Sequence, residues 1–261
     1  MRIATWNVNS VKAHFAAVTD WLKEVKPDVV CLQEIKCEDH AFPTLEFEAL
    51  GYSVAVHGQK TYNGVAILSL LPLEDICKGL SGDDSDEQAR FIEAVVIEGS
   101  RAIRVASLYL PNGNPAPGPK YEYKLAWMER LKSYASALLK QEEPFVLAGD
   151  YNVIPAPQDA KNPKNWRDDA LFLPQTRTAF EELKNLGLTE AFRALYPLDT
   201  GAYSFWDYQA GAWPKNNGIR IDHLLLSPQA ADLLVSADIH KHVRGWEKPS
   251  DHVPVMIELK T

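Results

Sequence analysis

Residues 147–156 read LAGDYNVIPA, the end of an apolar run, EPFVLAG, that passes directly into an aspartate and, two residues on, an asparagine. A short apolar run that stops at turn formers reads as a buried strand. Alternation along it sets Asp150 and Asn152 on one face at the strand end and turns Tyr151 to the other, into the packing. The same letters, followed by Pro155 and Pro157, also spell an ordinary turn. The surrounding chain has to decide between the two.

Working outward, this run closes a strand-helix-strand unit. The unit opens with AIRVASLYL, crosses the loop PNGNPAPGP and a helix with Leu125, Met128, Leu131, Ala135 and Leu138 on one face, and ends in FVLAG. The N-terminal part repeats the order: RIATW, a helix over 11–25 with Phe15, Val18, Leu22 and Val25 on one face, then DVVCL. Further short strands follow at GVAILS, FIEAVVIE, RIDHLLLS and VPVMIELK, separated by turns rich in Gly, Pro, Asn and Asp. That many strands call for two sheets. With no low-complexity linker or shift in composition, the expected organisation is one α/β domain over 1–261.

The chain is 46% hydrophobic and 24% charged, ample material for a core. A net charge of −8 disfavours nonspecific adhesion to nucleic acid or anionic membrane, so any contact with a polyanion has to be local. MRIATWNVNS begins at once with a strand and shows no secretory leader, and no apolar run is long enough for a membrane span. Cys31, Cys37 and Cys77 lack CxxC spacing, which fits a reducing cytoplasm better than a disulfide framework. The acidic segment SGDDSDEQ reads as a solvated loop.

Polar residues interrupt or end the apolar strands at Asn7 (TWNVNS), Glu34 (CLQEIK), Tyr109 (SLYLPNG), Asp150 and Asn152 (GDYN), Asp222 (RIDHLLLS), and Asp251 and His252 (PSDHVPV). Each alone is most simply a turn or cap residue. Together they form an almost wholly oxygen-bearing set, and carboxylates that converge repel one another unless a cation or other partner offsets the repulsion, for which a hard divalent ion is the natural choice. Magnesium, with manganese as an alternative, suits oxygen donors such as Glu34 with Asn7 or Asp251, and points to a phosphate ester as substrate. In that setting Asp150 can orient or deprotonate water, Asn152 can donate to a nonbridging oxygen, Tyr109 can supply a proton, and His252 can pair with a carboxylate.

The motifs TWNVNS, LQEIK, YNGVAILS, YLPNG, GDYN, RIDHLLLS and SDHVPV, in this order over nearly the whole chain, resemble the exonuclease III family of DNA-repair nucleases. That family lies within the deoxyribonuclease I-like phosphohydrolases. The resemblance implies a four-layered α/β sandwich of two mixed sheets with helices outside and a metal site at one edge. It implies Glu34 as principal metal ligand with Asn7 and Asp251, Asp150 and Asn152 acting on water and phosphate and beside the metal, an Asp222–His252 pair, and Tyr109 as the site tyrosine. Whether Asp150 or His252 is the base stays open.

Lys36, Tyr62, Asn63, Asn112 and Lys215 fall at or beside positions where relatives touch the DNA backbone, and their amides, hydroxyls and ammoniums suit phosphate, although a turn before GVAILS explains Tyr62 and Asn63 equally well. In YSFWDYQAGAWPKNNGIRID, Trp206 and its aromatic neighbours interleave with Lys215 and Arg220 as in a loop that inserts beside an unstacked nucleotide, although core packing explains most of them equally well. Two departures stand out. Asn9 replaces an aspartate of some relatives, which weakens any second metal subsite, and Ile219 replaces the tryptophan of eukaryotic members, which makes the wall of an abasic-sugar pocket smaller and aliphatic.

The expected activity is therefore magnesium-dependent cleavage of duplex DNA at abasic sites and 3' ends, by a monomer without an obligate protein partner. A lipid or inositol phosphate phosphodiesterase of the same superfamily is the alternative within the chemistry. A catalytically silent DNA-binding module is the alternative outside it.

Overall fold

An apolar residue at nearly every position of FVLAG or VAILS, rather than at every second one, requires a sheet covered on both faces. The computed structural model, which describes residues 1–260, meets this requirement twice. The strands are β1 (Arg2–Asn7), β2 (Val29–Gln33), β3 (Ser53–His57), β4 (Val65–Ser69), β5 (Leu73–Lys78), β6 (Phe91–Glu98), β7 (Arg101–Tyr109), β8 (Phe145–Asp150), β9 (Thr189–Glu190), β10 (Asp222–Leu226), β11 (Leu234–Ile239) and β12 (Val255–Leu259). They form two six-stranded sheets, ordered β11-β12-β1-β2-β4-β3 and β5-β6-β7-β8-β10-β9. The helices are α1 (Phe15–Val25), α2 (Thr44–Glu48), α3 (Pro119–Leu139), α4 (Pro174–Asn185), α5 (Ala191–Leu195) and α6 (Pro228–Ala231). Each sheet has one parallel pair, β1 with β2 around α1 and β7 with β8 around α3.

Alternation along the strands builds four layers. Ile3, Val29, Cys31 and Ile67 of the first sheet meet Val105, Val146, Ala148 and Leu224 of the second in a shared core. Their neighbours one position on, Ala4, Val30, Leu32 and Leu68, face outward onto Val18, Trp21 and Leu22 of α1. On the far side Leu108, Leu147 and Leu225 face Trp127, Met128 and Leu131 of α3 and Phe180 and Leu183 of α4. This is the four-layered sandwich that the resemblance implied. No described helix is long and apolar enough to cross a membrane.

Two differences from the sequence reading have physical causes. The strands it lacked, β3, β5, β9 and β11, are the four sheet edges. Edge strands are half solvated and carry mixed side chains, as the mostly exposed LEDICK of β5 does, so no apolar run marks them. Helix α1 begins at Phe15 rather than at residue 11. Asn9 and Ser10 have left-handed backbones, at φ 44° and 88°, and the Val11 amide is tied to the Ile35 carbonyl, so the chain turns once before helix can start.

Behind the second sheet a buried ion network pins the entry to β10. Arg220, 1% exposed, donates from Nε to Asp159 Oδ1 at 2.8 Å and from Nη1 to Glu190 Oε1 at 2.9 Å, with His223 Nδ1 at 3.0 Å. Burial alone raises the Glu190 pKa, but Arg220 and His223 outweigh it and hold the carboxyl at about 2. Its folded pKa is depressed, so its stabilisation is complete above its ordinary value of 4.5 and disappears as pH falls towards about 2. Glu190→Gln should lower the unfolding free energy at pH 7 by about 3 kcal/mol and flatten the acid limb of the stability profile, read by urea titration at pH 7 and pH 3. A variant with an unchanged profile would remove Glu190 from the network's energetics.

Candidate active site

Strand register delivers the site. In the second sheet Tyr109 at the end of β7 lies opposite Asp150 of β8, and Asp150 lies opposite Asp222 of β10. In the first, Asn7 at the end of β1 pairs with Gln33, and Glu34 follows it. One amide touches carboxylates presented by both sheets: Asn7 Nδ2 donates to Glu34 Oε1 and to Asp150 Oδ2, each at 2.9 Å. His252, just before β12, completes the group, with Nδ1 2.8 Å from Asp222 Oδ2 and Nε2 3.7 Å from Asp150 Oδ2. Oxygens of Asp150 and Asp222 and a ring nitrogen of His252 all lie within 4.8 Å of one another. Trp6 Nε1 donates to the His252 carbonyl at 3.1 Å, and the Phe205 ring packs edge-on against the imidazole at 4.9 Å.

The backbone around these side chains is in sparsely populated geometry. Asn9, Glu34, Lys36 and Asn152 all have positive φ, between 44° and 53°. Such conformations cost about 1 kcal/mol or more and persist only where surroundings impose them. They also correct the reading of LAGDYNVIPA. β8 ends at Asp150, and Asn152 reaches the site through a left-handed turn in which its N–H donates to Asp150 Oδ1 at 2.9 Å, not through strand alternation. Tyr151 does go into the core, against Phe180 and His223, and its hydroxyl donates to the Leu147 carbonyl.

Burial and charge set the proton affinities. Burial raises the Asp150 pKa and the Asp222 carboxylate adds to the rise, with His252 opposing both. For His252 burial works downward, but the Asp222 and Asp150 carboxylates outweigh it and raise the pKa well above the usual histidine range, favouring imidazolium at neutral pH. Glu34 is lowered despite its burial, because Lys36 lies against it with Nζ 2.9 Å from Oε2. Tyr109 is raised by burial and then by Glu34 and Asp150.

The Endonuclease/Exonuclease/phosphatase family model matches residues 4–252. Exodeoxyribonuclease III of Haemophilus influenzae is 34% identical over the whole of both chains. The chain belongs to this family, in its exonuclease III branch. The DNA repair nuclease APEX1 of Danio rerio is 31% identical over 99% of this chain and 82% of its own. Two solved structures have the same fold over all of both chains: an AP endonuclease from Archaeoglobus fulgidus, at TM-score 0.93 and 36% identity, and a variant of the 3' phosphatase NExo from Neisseria bound to product DNA hairpin, at TM-score 0.94 and 34% identity. An exonuclease III-type chain is a phosphodiester hydrolase and a DNA-repair nuclease.

Within this exonuclease III framework, Asn7, Glu34, Tyr109, Asp150, Asn152, Asp222, Asp251 and His252 share one region. Asp251 joins through Asn9, whose Nδ2 donates to its Oδ1 at 3.2 Å. The Asn9 Oδ1 accepts from Lys36, so the amide there is used on both sides, between a carboxylate and an ammonium. Asn112 is exposed and donates to Asn152 Oδ1 at 3.2 Å. Tyr62 is 68% exposed, and Lys215 is exposed with its Nζ on the Ala210 carbonyl.

Three residues differ from their expected places. Trp206 is completely enclosed and donates to Asn216, so the indole is core, and Tyr208, 51% exposed, is the open aromatic of that loop. Asn63 is buried, spends its amide on Gln59 and Gln88, and acts as the turn before β4. Ile219 is 1% exposed and packs with Ile154, Leu171 and Ile221, leaving the partly exposed Phe205 beside His252. Sequence reasoning missed Arg90, whose guanidinium lies 4.8 Å over the Tyr109 ring and lines a cleft of about 310 Å³ with Gln88, Asn112, Lys120 and Tyr123. It also missed Lys124. Arg90 precedes a strand start and carries no local pattern to single it out.

The donor set fits a hard divalent cation: Glu34 offers carboxylate oxygens, and Asp150, joined to it by the Asn7 amide, has a raised pKa that a cation would relieve. Asp222→Asn should bring the His252 pKa back down by one unit or more, about 1.4 kcal/mol or more of lost interaction, followed by imidazole NMR shifts against pH. An unmoved titration would dissociate the pair.

Proposed function

We propose that this nuclease is magnesium-dependent and hydrolyses the phosphodiester backbone of duplex DNA at abasic sites and at 3' ends, releasing a 3'-hydroxyl. Support comes chiefly from one observation, the Asn7 amide joining Glu34 to Asp150 beside the Asp222–His252 pair. Glu34, Asn7 and Asp251 would hold the cation, with help from Asp150 and Asn152. When bound, magnesium supplies positive charge against the phosphoryl and leaving oxygens.

Asp150 takes the proton of the attacking water. A carboxylate with raised proton affinity suits that role, whereas an imidazolium, protonated on both nitrogens, has no lone pair to offer. His252 instead presents its Nε2 proton and positive charge to the phosphate, oriented by Asp222 through Nδ1. Asn152 donates to a nonbridging oxygen, and Tyr109, kept protonated by its surroundings, donates to the leaving oxygen. The 3'-5' exonuclease, abasic-site endonuclease and 3'-phosphatase reactions all pass through this phosphoryl chemistry, and the activities by which the relatives are named span all three.

Backbone contacts fall to Asn112, Lys36, Tyr62 and Lys215 around the site, with Arg90 and Lys120 in the adjoining cleft taking a flanking phosphate. With Ile219 packed into the core, Phe205 and His252 are the surfaces nearest an extruded sugar.

End-labelled duplexes carrying an internal abasic site, a recessed 3'-hydroxyl or a 3'-phosphate, digested with and without magnesium, test this directly. Rates within about tenfold of one another mark a general 3' repair enzyme, since that ratio is only about 1.4 kcal/mol of discrimination. Turnover on a phosphoinositide but on none of the duplexes would sink the assignment of substrate. Asp150→Asn should lower kcat by about 10²-fold or more. Tyr151→Phe should leave kcat near wild type and lower stability by about 1 kcal/mol through the lost hydroxyl bond. Steady-state kinetics and thermal unfolding of the two variants read these outcomes.

A further inference from the structure

The face of α3 that packs on the second sheet carries Trp127, Met128, Leu131, Ala135 and Leu138, and in the same row a lysine, Lys124, at 0% exposure. An amine removed from water is costly unless its donors are matched. Lys124 Nζ donates to the main-chain oxygen of Asn152 at 2.6 Å and to that of Asn112 at 3.1 Å. These acceptors belong to different loops, one following β8 and the other following β7. Above the lysine the two loops touch side chain to side chain, Asn112 Nδ2 to Asn152 Oδ1 at 3.2 Å.

The aliphatic stem is fixed as well. Gly113 has φ +90°, and a Cβ on it would lie 2.7 Å from Lys124 Cδ and 3.2 Å from Ala170 Cβ, so only glycine lets the loop lie across the stem. Asn114 secures the next position, donating to Asp169 Oδ1 and accepting from the Ala170 N–H, each at 3.0 Å. On the other loop, left-handed Asn152 is held by Asp150 Oδ1 on its N–H, by the Leu110 carbonyl on its Nδ2 and by Lys124 on its own carbonyl. Of these, Lys124 alone spans both loops from beneath.

Resting on the reading of Asp150, Asn152 and Asn112 as groups that face water and phosphate, we infer that Lys124 is a positioning residue that clamps the two loops together through their backbone carbonyls. It makes no approach to reacting atoms. Its effect is to fix the Asn152 amide and the Asp150 carboxylate relative to the backbone contact made by Asn112. Without the clamp the loops keep the Asn112–Asn152 and Asn152–Leu110 bonds but lose the tie beneath them, and the added freedom degrades alignment in the transition state more than ground-state binding by the other contacts.

Lys124→Met keeps the stem and removes the donors. Measured on the abasic duplex in magnesium, it should show kcat lower by about tenfold to a hundredfold with KM within about threefold of wild type. Lys124→Arg, which restores donors, should recover most of that loss. Gly113→Ala, which drives a Cβ into the lysine stem, should reproduce the kcat defect and serves if the methionine variant does not fold, as judged by thermal unfolding. A folded Lys124→Met or Gly113→Ala enzyme turning over within about twofold of wild type overturns the inference, as does an arginine variant no better than methionine. Failure of both Lys124→Met and Gly113→Ala to fold overturns it too, because the contacts would then serve stability alone. Absence of wild-type turnover on any DNA would instead count against the proposed function, so the two failures are distinguishable.

Discussion

The side-chain amide of Asn7 is the point on which the site depends. It stands at the end of a central strand of one sheet and donates to carboxylates presented by both sheets, Glu34 and Asp150. A slip of one residue in β1 would turn Asn7 to the helix-covered face and bring Trp6 or Val8 to the junction, since strand side chains alternate strictly. That register is over-determined: β1 is buried on both faces and paired parallel to β2 and antiparallel to β12. The chemistry therefore inherits its precision from the packing of Ile3 and Ala4 on opposite faces, several residues away.

The second sheet works by the same rule with a different cost. Register places Asp150 and Asp222 side by side, and two carboxylates buried at that distance repel each other. His252 lies against both, and its charge is the protein's own compensation. The Glu34 carboxylate has a corresponding partner in Lys36. Acidic and basic groups are thus paired within the site while the surface as a whole stays acidic, which is how a chain of net charge −8 can present a local surface to a polyanion.

Much of this was legible in the sequence because apolar runs mark covered strands and polar letters at their ends mark the site. Central strands and the oxygen-bearing set followed from that pattern, and the ordered motifs supplied the family. The edge strands escaped because half-solvated strands lack the pattern. The helical face of α3 was read as apolar, and Lys124 was invisible there because its burial depends on carbonyls of two loops, one of them far away in sequence. Trp206 shows the opposite difficulty: an aromatic among basic residues reads alike in a DNA-facing loop and in a core, and only its enclosure by Tyr203 and Trp213 separates them. Asn152 reached its place by a backbone turn that no side-chain alternation encodes.

The pairing of β12 with β1 has a consequence for the order in which the molecule can be made. β1 leaves the ribosome before the other eleven strands and β12 after them, yet the two lie side by side in the interior of their sheet, with Asp251 and His252 just ahead of β12. During synthesis the first sheet must wait, open at β1, until about residue 255 has emerged. A nascent chain therefore carries Glu34, Asp150 and Asp222 without their histidine and without a closed sheet to hold them. The junction of the two sheets is completed only when β12 has been made and paired with β1.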